Sequence, residues 1–181
     1  MIHFQAGCLL WSGRPPGPAA FSLWALGRDE PDLFRVYSFL AQAEHRLPQP
    51  HNRYLFEDPL LAPFSSQGDP REVVAHFRKA ALYLQKREFA AGDFSVFFEW
   101  VRRLYGFIAA KVEFSMRLGA LMEKGDGGGE MRRQVLQLMQ ENHELKELYR
   151  EVRCRSFQSD GFPEIGERFD ALQRSFQRLI Q

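Results

Sequence analysis

The chain has 181 residues, of which 45% are hydrophobic and 26% charged, and its formal net charge is +1. This length excludes a complete (β/α)8 barrel, which takes about 250 residues, while the composition is that of a folded domain. The near-neutral charge gives no electrostatic reason to expect a nucleic acid or an anionic membrane as a partner.

The residue types favour helices over strands. The chain contains no threonine, and its 12 isoleucine and valine residues stand against 21 leucine and 17 phenylalanine residues. Because β-branched side chains favour strands, this chain is poorly suited to a large sheet. Nine of the ten prolines lie within residues 15–70, and proline breaks helices. We therefore predict an all-α fold, an antiparallel bundle of four to five helices with an irregular, proline-rich N-terminal third.

The N-terminal region is predicted to be less regular than the remainder. We expect residues 1–30 to form an irregular segment, which contains the loop-like run Gly-Arg-Pro-Pro-Gly-Pro, and residues 31–181 to form the helical bundle domain. A first helix is predicted over residues 32–46, where apolar side chains recur at helical spacing. Residues 48–70 are predicted to form a long connection without helical or strand periodicity. Its large apolar side chains must lie across another apolar surface.

Four further helices are predicted from their end signals and periodicity. The second begins at Pro70, with Asp69 as N-cap, and ends near residue 87. The third spans residues 93–124 and has an apolar surface broad enough for burial on more than one side. The fourth spans about residues 130–156. The fifth follows the turn Gly161-Phe162-Pro163 and carries a single apolar stripe.

No pattern in the chain predicts a catalytic, cofactor or metal site. His143 is followed by a glutamate as in a zinc-protease motif, but Glu147 stands where the second histidine would be. We therefore predict that His143 lies at the surface or in a hydrogen bond between helices. The glycine-rich run 125–129 lacks the lysine of a phosphate loop and is predicted to be a linker. Glu113 and Arg117 stand four residues apart and predict a structural ion pair.

The aromatic and cysteine residues carry weaker signals. The run Phe94, Phe97, Phe98 and Trp100 is predicted to lie in the core, with a contact between domains or subunits as the alternative. The two cysteines form no CxxC motif, which mildly favours a reducing compartment. Because neither a signal peptide nor an apolar run of 18 residues is visible, we expect a cytoplasmic location and no membrane partner.

Three motifs follow one another along the chain. The first is Asn-Arg-Tyr-Leu-Phe-Glu-Asp-Pro-Leu-Leu at residues 52–61. The second is Lys-x-Glu-x-x-x-Arg-Leu, formed by Lys111, Glu113, Arg117 and Leu118. The third comprises Tyr149, Arg150, Glu151, Gly161, Phe162, Arg168 and Leu172. In this order they resemble the Lys-Tyr-Leu-Leu-Tyr-Gln-Asp-Pro-Leu-Leu segment, the Lys-x-Glu-x-x-x-Arg-Leu helix and the closing helix pair of the helical domain that follows the barrel in bacterial family 20 glycoside hydrolases, which are exo-β-N-acetylhexosaminidases.

The resemblance implies a non-catalytic accessory domain without a cofactor. The Asp-Glu pair of the family lies in its barrel, and its mechanism is substrate-assisted. The implied partner is therefore a catalytic (β/α)8 barrel domain or a second copy of the chain. Trp11, in Trp-Ser-Gly, is similar to a tryptophan that lines the family's sugar pocket. Together with segment 51–64, this makes Trp11, Tyr54, Phe56 and Asp58 candidate sugar-pocket or docking contacts.

The chain also departs from the family pattern. Arg153 stands where that family often has tryptophan, and the acidic residues expected after Trp11 are missing. Two alternatives therefore stay open. One is a self-standing helical-bundle interaction protein, dimeric through the Phe-rich helix 93–124. The other is a small enzyme whose two facing carboxylates the sequence does not reveal. The adjacent pair Glu57 and Asp58 is a weak candidate for that chemistry, because neighbouring residues rarely point into one site.

Overall fold

The computed structural model describes residues 51–56, 69–86, 93–123, 128–156 and 162–181. Every regular element within these ranges is an α-helix, which confirms the predicted all-α class for this part of the chain. The helices are α1 (His51–Phe56), α2 (Pro70–Gln85), α3 (Asp93–Glu123), α4 (Gly128–Ser156) and α5 (Phe162–Arg178). All the described residues fall within one compact unit, Leu47–Gln181. The predicted first helix and the predicted domain boundary at residues 30 and 31 lie outside them.

The helices form a bundle whose centre is α3. Helix α3 packs against α2 and α4, α4 packs against α5, and the short α1 contacts both α3 and α5. Consecutive helices joined by short connections pack side by side in this way in antiparallel bundles. Within the ranges described above, no helix is long and apolar enough to cross a membrane.

The predicted helix ends agree closely with the observed ones because the signals are local. Asp69 caps α2, and its carboxylate accepts a hydrogen bond from the backbone N–H of Arg71 at 2.9 Å. Pro70 occupies the first helical position, where its missing N–H costs nothing. Helix α4 begins at Gly128, two residues earlier than predicted.

The core is built largely from phenylalanine. Helix α3 buries side chains on more than one side, as its broad apolar surface predicted, because α2, α4 and α1 all lie against it. The predicted core position of Phe98 is confirmed, whereas Phe97 and Trp100 are only half-buried. The largest fully buried aromatic side chains are Phe77, Phe98, Phe107, Phe114, Phe169 and Phe176.

One segment is more ordered than the sequence predicted. Residues 51–56, placed in a long connection, form helix α1. Six residues are too few to display a helical period, and an isolated helix of this length is unstable in water. The expectation that the segment's apolar groups lie across an apolar surface is confirmed for Tyr54 and Leu55, each 2% exposed. Tertiary contacts therefore stabilise α1.

A buried polar side chain joins α4 to α5. Asn142 lies in the apolar stripe of α4 and is 2% exposed. Its amide nitrogen donates to the carbonyl oxygen of Phe169 at 3.0 Å and to Oε1 of Gln173 at 2.8 Å. Because these acceptors lie at fixed positions along α5, the bonds favour one register between the two helices.

We expect Asn142→Asp to lower the free energy of unfolding by about 2–4 kcal/mol, because a buried carboxylate would face two acceptors without donating to either. Asn142→Leu removes the same bonds but leaves no charge, so we expect a change of less than about 1.5 kcal/mol. Urea unfolding followed by circular dichroism measures both variants. Equal losses in the two would contradict this account, because they would show that the buried charge of aspartate adds nothing to the loss of the shared hydrogen bonds.

Candidate functional site: an open groove across three helices

The structure describes two of the four predicted sugar-pocket or docking residues, Tyr54 and Phe56. Tyr54 is buried, with its ring 5.8 Å from that of Phe77, so it is a core residue and its ring face is not open to a sugar. Phe56 is half-buried; its ring lies 5.2 Å from that of Phe169, and the guanidinium of Arg168 lies 5.9 Å from its centroid. Trp11 and Asp58 lie outside the described residues.

Glu113 has a different partner from the predicted Arg117. Its Oε2 lies 2.6 Å from Nη2 of Arg78, on α2. Arg117 instead donates to Oε1 of Gln134, on α4, at 3.2 Å. Each side chain therefore bridges to a neighbouring helix. Cross-helix partners become available only once α3 is packed between α2 and α4, so residue spacing alone could not reveal them.

Lys111 is the most unusual polar side chain among the described residues. It is fully buried, and its Nζ donates to the backbone carbonyl oxygen of Leu55 at 2.7 Å. That carbonyl belongs to the last turn of α1, where carbonyl oxygens lack a partner within the helix. A buried ammonium group is costly unless it is hydrogen-bonded. Lys111 therefore acts as a tie between α3 and α1, and its place in an apolar stripe was the sequence signal for this burial.

A groove of about 590 Å³ crosses α2, α3 and α4. We call it the α2–α4 groove. Its floor is mostly apolar and includes Gly106, Phe107 and Ala110 of α3 together with Leu145 of α4. Its α2 wall consists of Arg78, Ala81, Leu82 and Gln85, and its remaining polar residues are Arg102, Arg103, Glu141 and Glu144.

Small side chains keep the floor of the groove open. A Cβ atom added at Gly106 would meet no other atom within 4 Å. Glycine in the middle of a helix costs up to about 1 kcal/mol relative to alanine, and nothing in the packing here requires it. The sequence signal for the groove was this glycine, followed four residues later by Ala110, on a helix otherwise rich in large side chains.

Ion pairs hold the charged edges of the groove. Arg102 donates two hydrogen bonds to Glu99, at 2.6 and 2.7 Å. Arg103 donates to Glu99 at 2.7 Å and also reaches Glu144 on α4 at 2.9 Å. Together with the pair of Arg78 and Glu113, these contacts compensate the guanidinium charges. The groove therefore does not present free positive charge to an anionic ligand.

The hydrogen bond from Arg102 is the main reason that the pKa of Glu99 lies below its usual value, with a further contribution from Arg103, while burial opposes the shift. Because the folded-state pKa is lower than the unfolded one, these bonds stabilise the fold above the unfolded pKa, about 4.3. The stabilisation is lost as the pH falls through the folded-state pKa.

We expect Glu99→Gln to unfold more easily than wild type at pH 7, by less than about 1 kcal/mol because these charges are partly exposed. The difference in stability between wild type and this variant should decrease as the pH is lowered from 5 to 3, because protonation of Glu99 removes the carboxylate from the wild-type protein. Urea midpoints at each pH measure this difference, with Glu167→Gln as a control at an exposed site. A gap that stays constant with pH would contradict the account.

The described residues do not assemble a recognisable catalytic or metal centre. No group of three or more histidine, cysteine, aspartate or glutamate side chains within these ranges is arranged to hold a metal ion. His143 is exposed, which agrees with the surface position that was one of its two predicted environments.

Comparison with known proteins does not assign the chain. No protein-family model matches it, and neither a curated protein nor a solved structure is similar to it.

Proposed function

We propose that this chain is a non-catalytic helical accessory domain, similar to the domain that follows the barrel in bacterial family 20 β-N-acetylhexosaminidases. In this proposal the chain packs on a catalytic barrel, mediates contacts between subunits, or does both. The observation that carries the proposal is the hydrogen bond from Lys111 to the carbonyl oxygen of Leu55. It joins two motifs that resemble the family and lie 56 residues apart in sequence.

The third motif approaches the same place. Phe56, in the first motif, lies against Phe169 and Arg168, in the closing helix. Residues that carry the resemblance thus contact one another and fix the start of segment 52–61 on the bundle. These contacts support the proposal, because the motifs that characterise a domain family are expected to include the residues that join its helices. Because the ring of Tyr54 is buried, only the other residues of segment 52–61 remain candidates for docking on the barrel.

Turnover of a chromogenic N-acetyl-β-glucosaminide by the purified chain tests the non-catalytic part. We expect no hydrolysis above the buffer rate, because the two carboxylates that line the α2–α4 groove, Glu141 and Glu144, both lie on α4, and Glu144 is paired with Arg103. A double variant, Glu57→Gln with Asp58→Asn, separates contamination from catalysis. Hydrolysis by the wild-type chain that this variant abolishes would overturn the proposal, and so would hydrolysis that persists in the variant and co-elutes with the chain on gel filtration.

The accessory-domain part has a separate test. We expect the DNA upstream of the Met1 codon, or an adjacent gene, to encode a (β/α)8 barrel with an Asp-Glu pair. Co-expression of that barrel with the chain should give a complex that co-purifies. If no barrel is encoded there, the accessory role is wrong and the stand-alone interaction module, favoured by the open α2–α4 groove, replaces it.

A further inference from the structure

The side of α2 that faces away from the bundle is an exposed basic surface. Within α2 and its C-cap, the exposed charged side chains are one glutamate, Glu72, and four basic residues, Arg71, Arg78, Lys79 and Lys86. We use the name α2 outer face for the surface formed by Arg71, Ala75, Arg78, Lys79, Leu82 and Lys86, all of them exposed. The whole chain has a formal charge of only +1, so this excess of positive charge is a local feature.

Most of the cations on the α2 outer face are not compensated within the part of the chain that the structure describes. Arg78 pairs with Glu113 on α3. No carboxylate among the described residues forms an ion pair with Arg71, Lys79 or Lys86. Helical geometry offers none either, because no acidic residue stands three or four positions away from any of these three. Three positive charges on one helix face are therefore available to a partner.

The stability of α2 itself does not explain these charges. Lys86 lies at the C-terminal end of the helix, where the helix dipole favours a cation. Arg71 lies in the first turn, where the same dipole disfavours one. Lys79 lies near the middle, away from both ends. The positions of Arg71 and Lys79 therefore favour a negative charge outside the helix as their counterpart.

The α2 outer face also has the spacing of a surface that packs against a helix. It consists of three pairs of residues, each seven positions apart: the apolar pair Ala75 and Leu82, the arginine pair Arg71 and Arg78, and the lysine pair Lys79 and Lys86. Seven residues correspond to about two helical turns, so each pair lies on one line along the axis. The apolar line runs between the arginine line and the lysine line, and Leu82 is 53% exposed. Apolar residues repeated every seven positions, with charges beside them, are typical of two helices packed side by side.

Two other anionic partners fit this surface less well. A helix that binds a membrane buries its apolar face among the lipids. The apolar face of α2 is already buried in the bundle core, through residues such as Val74, Phe77 and Leu84. A nucleic-acid-binding domain is typically strongly basic as a whole, whereas this chain is nearly neutral. The observations therefore favour a protein helix.

We propose that the α2 outer face binds an amphipathic helix of a partner protein, one whose apolar stripe is bordered by carboxylates. The apolar side chains of the partner lie against Ala75 and Leu82. Its carboxylates pair with Arg71, Lys79 and Lys86. The proposal does not depend on the accessory-domain role, because it specifies the charge and shape of the bound helix and not the protein that carries it.

Two synthetic helical peptides of about four heptads test the proposal. One has leucine along one face and glutamate on both sides of that face, and the other has lysine in place of glutamate. Fluorescence anisotropy of the labelled peptides with the full chain measures the dissociation constants. We expect saturable binding of the glutamate peptide, with a Kd of about 1–100 µM, and no binding of the lysine peptide. Raising the salt from about 50 mM to about 500 mM should weaken the binding at least fivefold, because salt screens exposed charges.

Variants of α2 locate the binding surface. Charge reversal by Lys79→Glu with Lys86→Glu should weaken binding of the glutamate peptide at least about tenfold, and it should allow the lysine peptide to bind. Leu82→Ala removes the exposed apolar side chain from the contact, and we expect it to weaken binding about threefold.

Matched control variants lie on α4. Arg132→Glu with Arg133→Glu changes the net charge by the same amount at exposed arginines, and Leu136→Ala truncates another exposed leucine. We expect the controls to leave the Kd within about twofold, and circular dichroism to show that all variants are folded.

Three results would overturn the proposal. The first is a glutamate peptide that does not bind, and the second is a control reversal that weakens binding as much as the reversal on α2 does. The third is duplex DNA, or vesicles that contain phosphatidylserine, binding more tightly than the peptide and losing that binding in the α2 reversal. The α2 outer face would then bind a nucleic acid or a membrane and not a protein helix.

Discussion

Replacing Lys111 by alanine is expected to lower the free energy of unfolding by about 3–5 kcal/mol. The side chain is fully buried, so its removal leaves a cavity next to α1. It also removes the donor to the carbonyl oxygen of Leu55. Both effects act on the same contact between α1 and α3, and urea unfolding followed by circular dichroism measures their sum.

Lys111→Met separates the two contributions. Methionine fills most of the same volume but donates no hydrogen bond, so we expect a smaller loss of about 1–3 kcal/mol. Hydrogen exchange of the backbone amides in α1 should accelerate in both variants, because both release the tie to this helix. An alanine variant that loses less than about 1 kcal/mol, or unchanged exchange in α1, would contradict the structural role assigned to Lys111.

Phe169→Ala is expected to cost about 3–5 kcal/mol for a different reason. The ring is 1% exposed and lies 5.2 Å from that of Phe56 and 6.3 Å from that of Tyr149, so it joins α5 to both α1 and α4. Alanine leaves a cavity at this junction. The backbone carbonyl that accepts from Asn142 remains, which confines the expected effect to packing.

Two variants calibrate that result under the same urea conditions. Phe169→Leu keeps much of the apolar volume, and we expect a loss of about 1–2 kcal/mol. Leu136→Ala removes an exposed apolar side chain, and we expect a change within about 0.5 kcal/mol. If Phe169→Ala were no worse than Leu136→Ala, the junction of α1, α4 and α5 would not be part of the cooperative core.

The longer helices were predictable because each is encoded by residues close together in sequence. Asp69 and Pro70 mark the start of α2 by satisfying or omitting local N–H groups. The apolar stripes of α3, α4 and α5 run long enough to show a helical period. Helix α1 has neither property, since it has six residues and its Leu55 carbonyl is bonded by Lys111 from 56 positions away, so it was missed.

The ion pair of Glu113 shows why side-chain partners were harder to predict. Arg117, four residues away, is the partner that helical geometry offers within α3. The partner in the structure is Arg78, 35 residues away on α2. Either arginine would compensate the negative charge of Glu113. Which one forms depends on how closely α2 approaches α3, and the spacing of residues within one helix contains no information about that distance.

By itself, the sequence determined the helical class, four of the five described helices and most of their ends. It did so because backbone hydrogen bonds and capping within a helix involve residues at most about four positions apart. Only the tertiary structure decided that Lys111 ties down α1, that Tyr54 belongs to the core, and that an open groove lies between α2 and α4. These features depend on the packing of side chains that are distant in sequence, such as Lys111 and Leu55, which lie 56 residues apart.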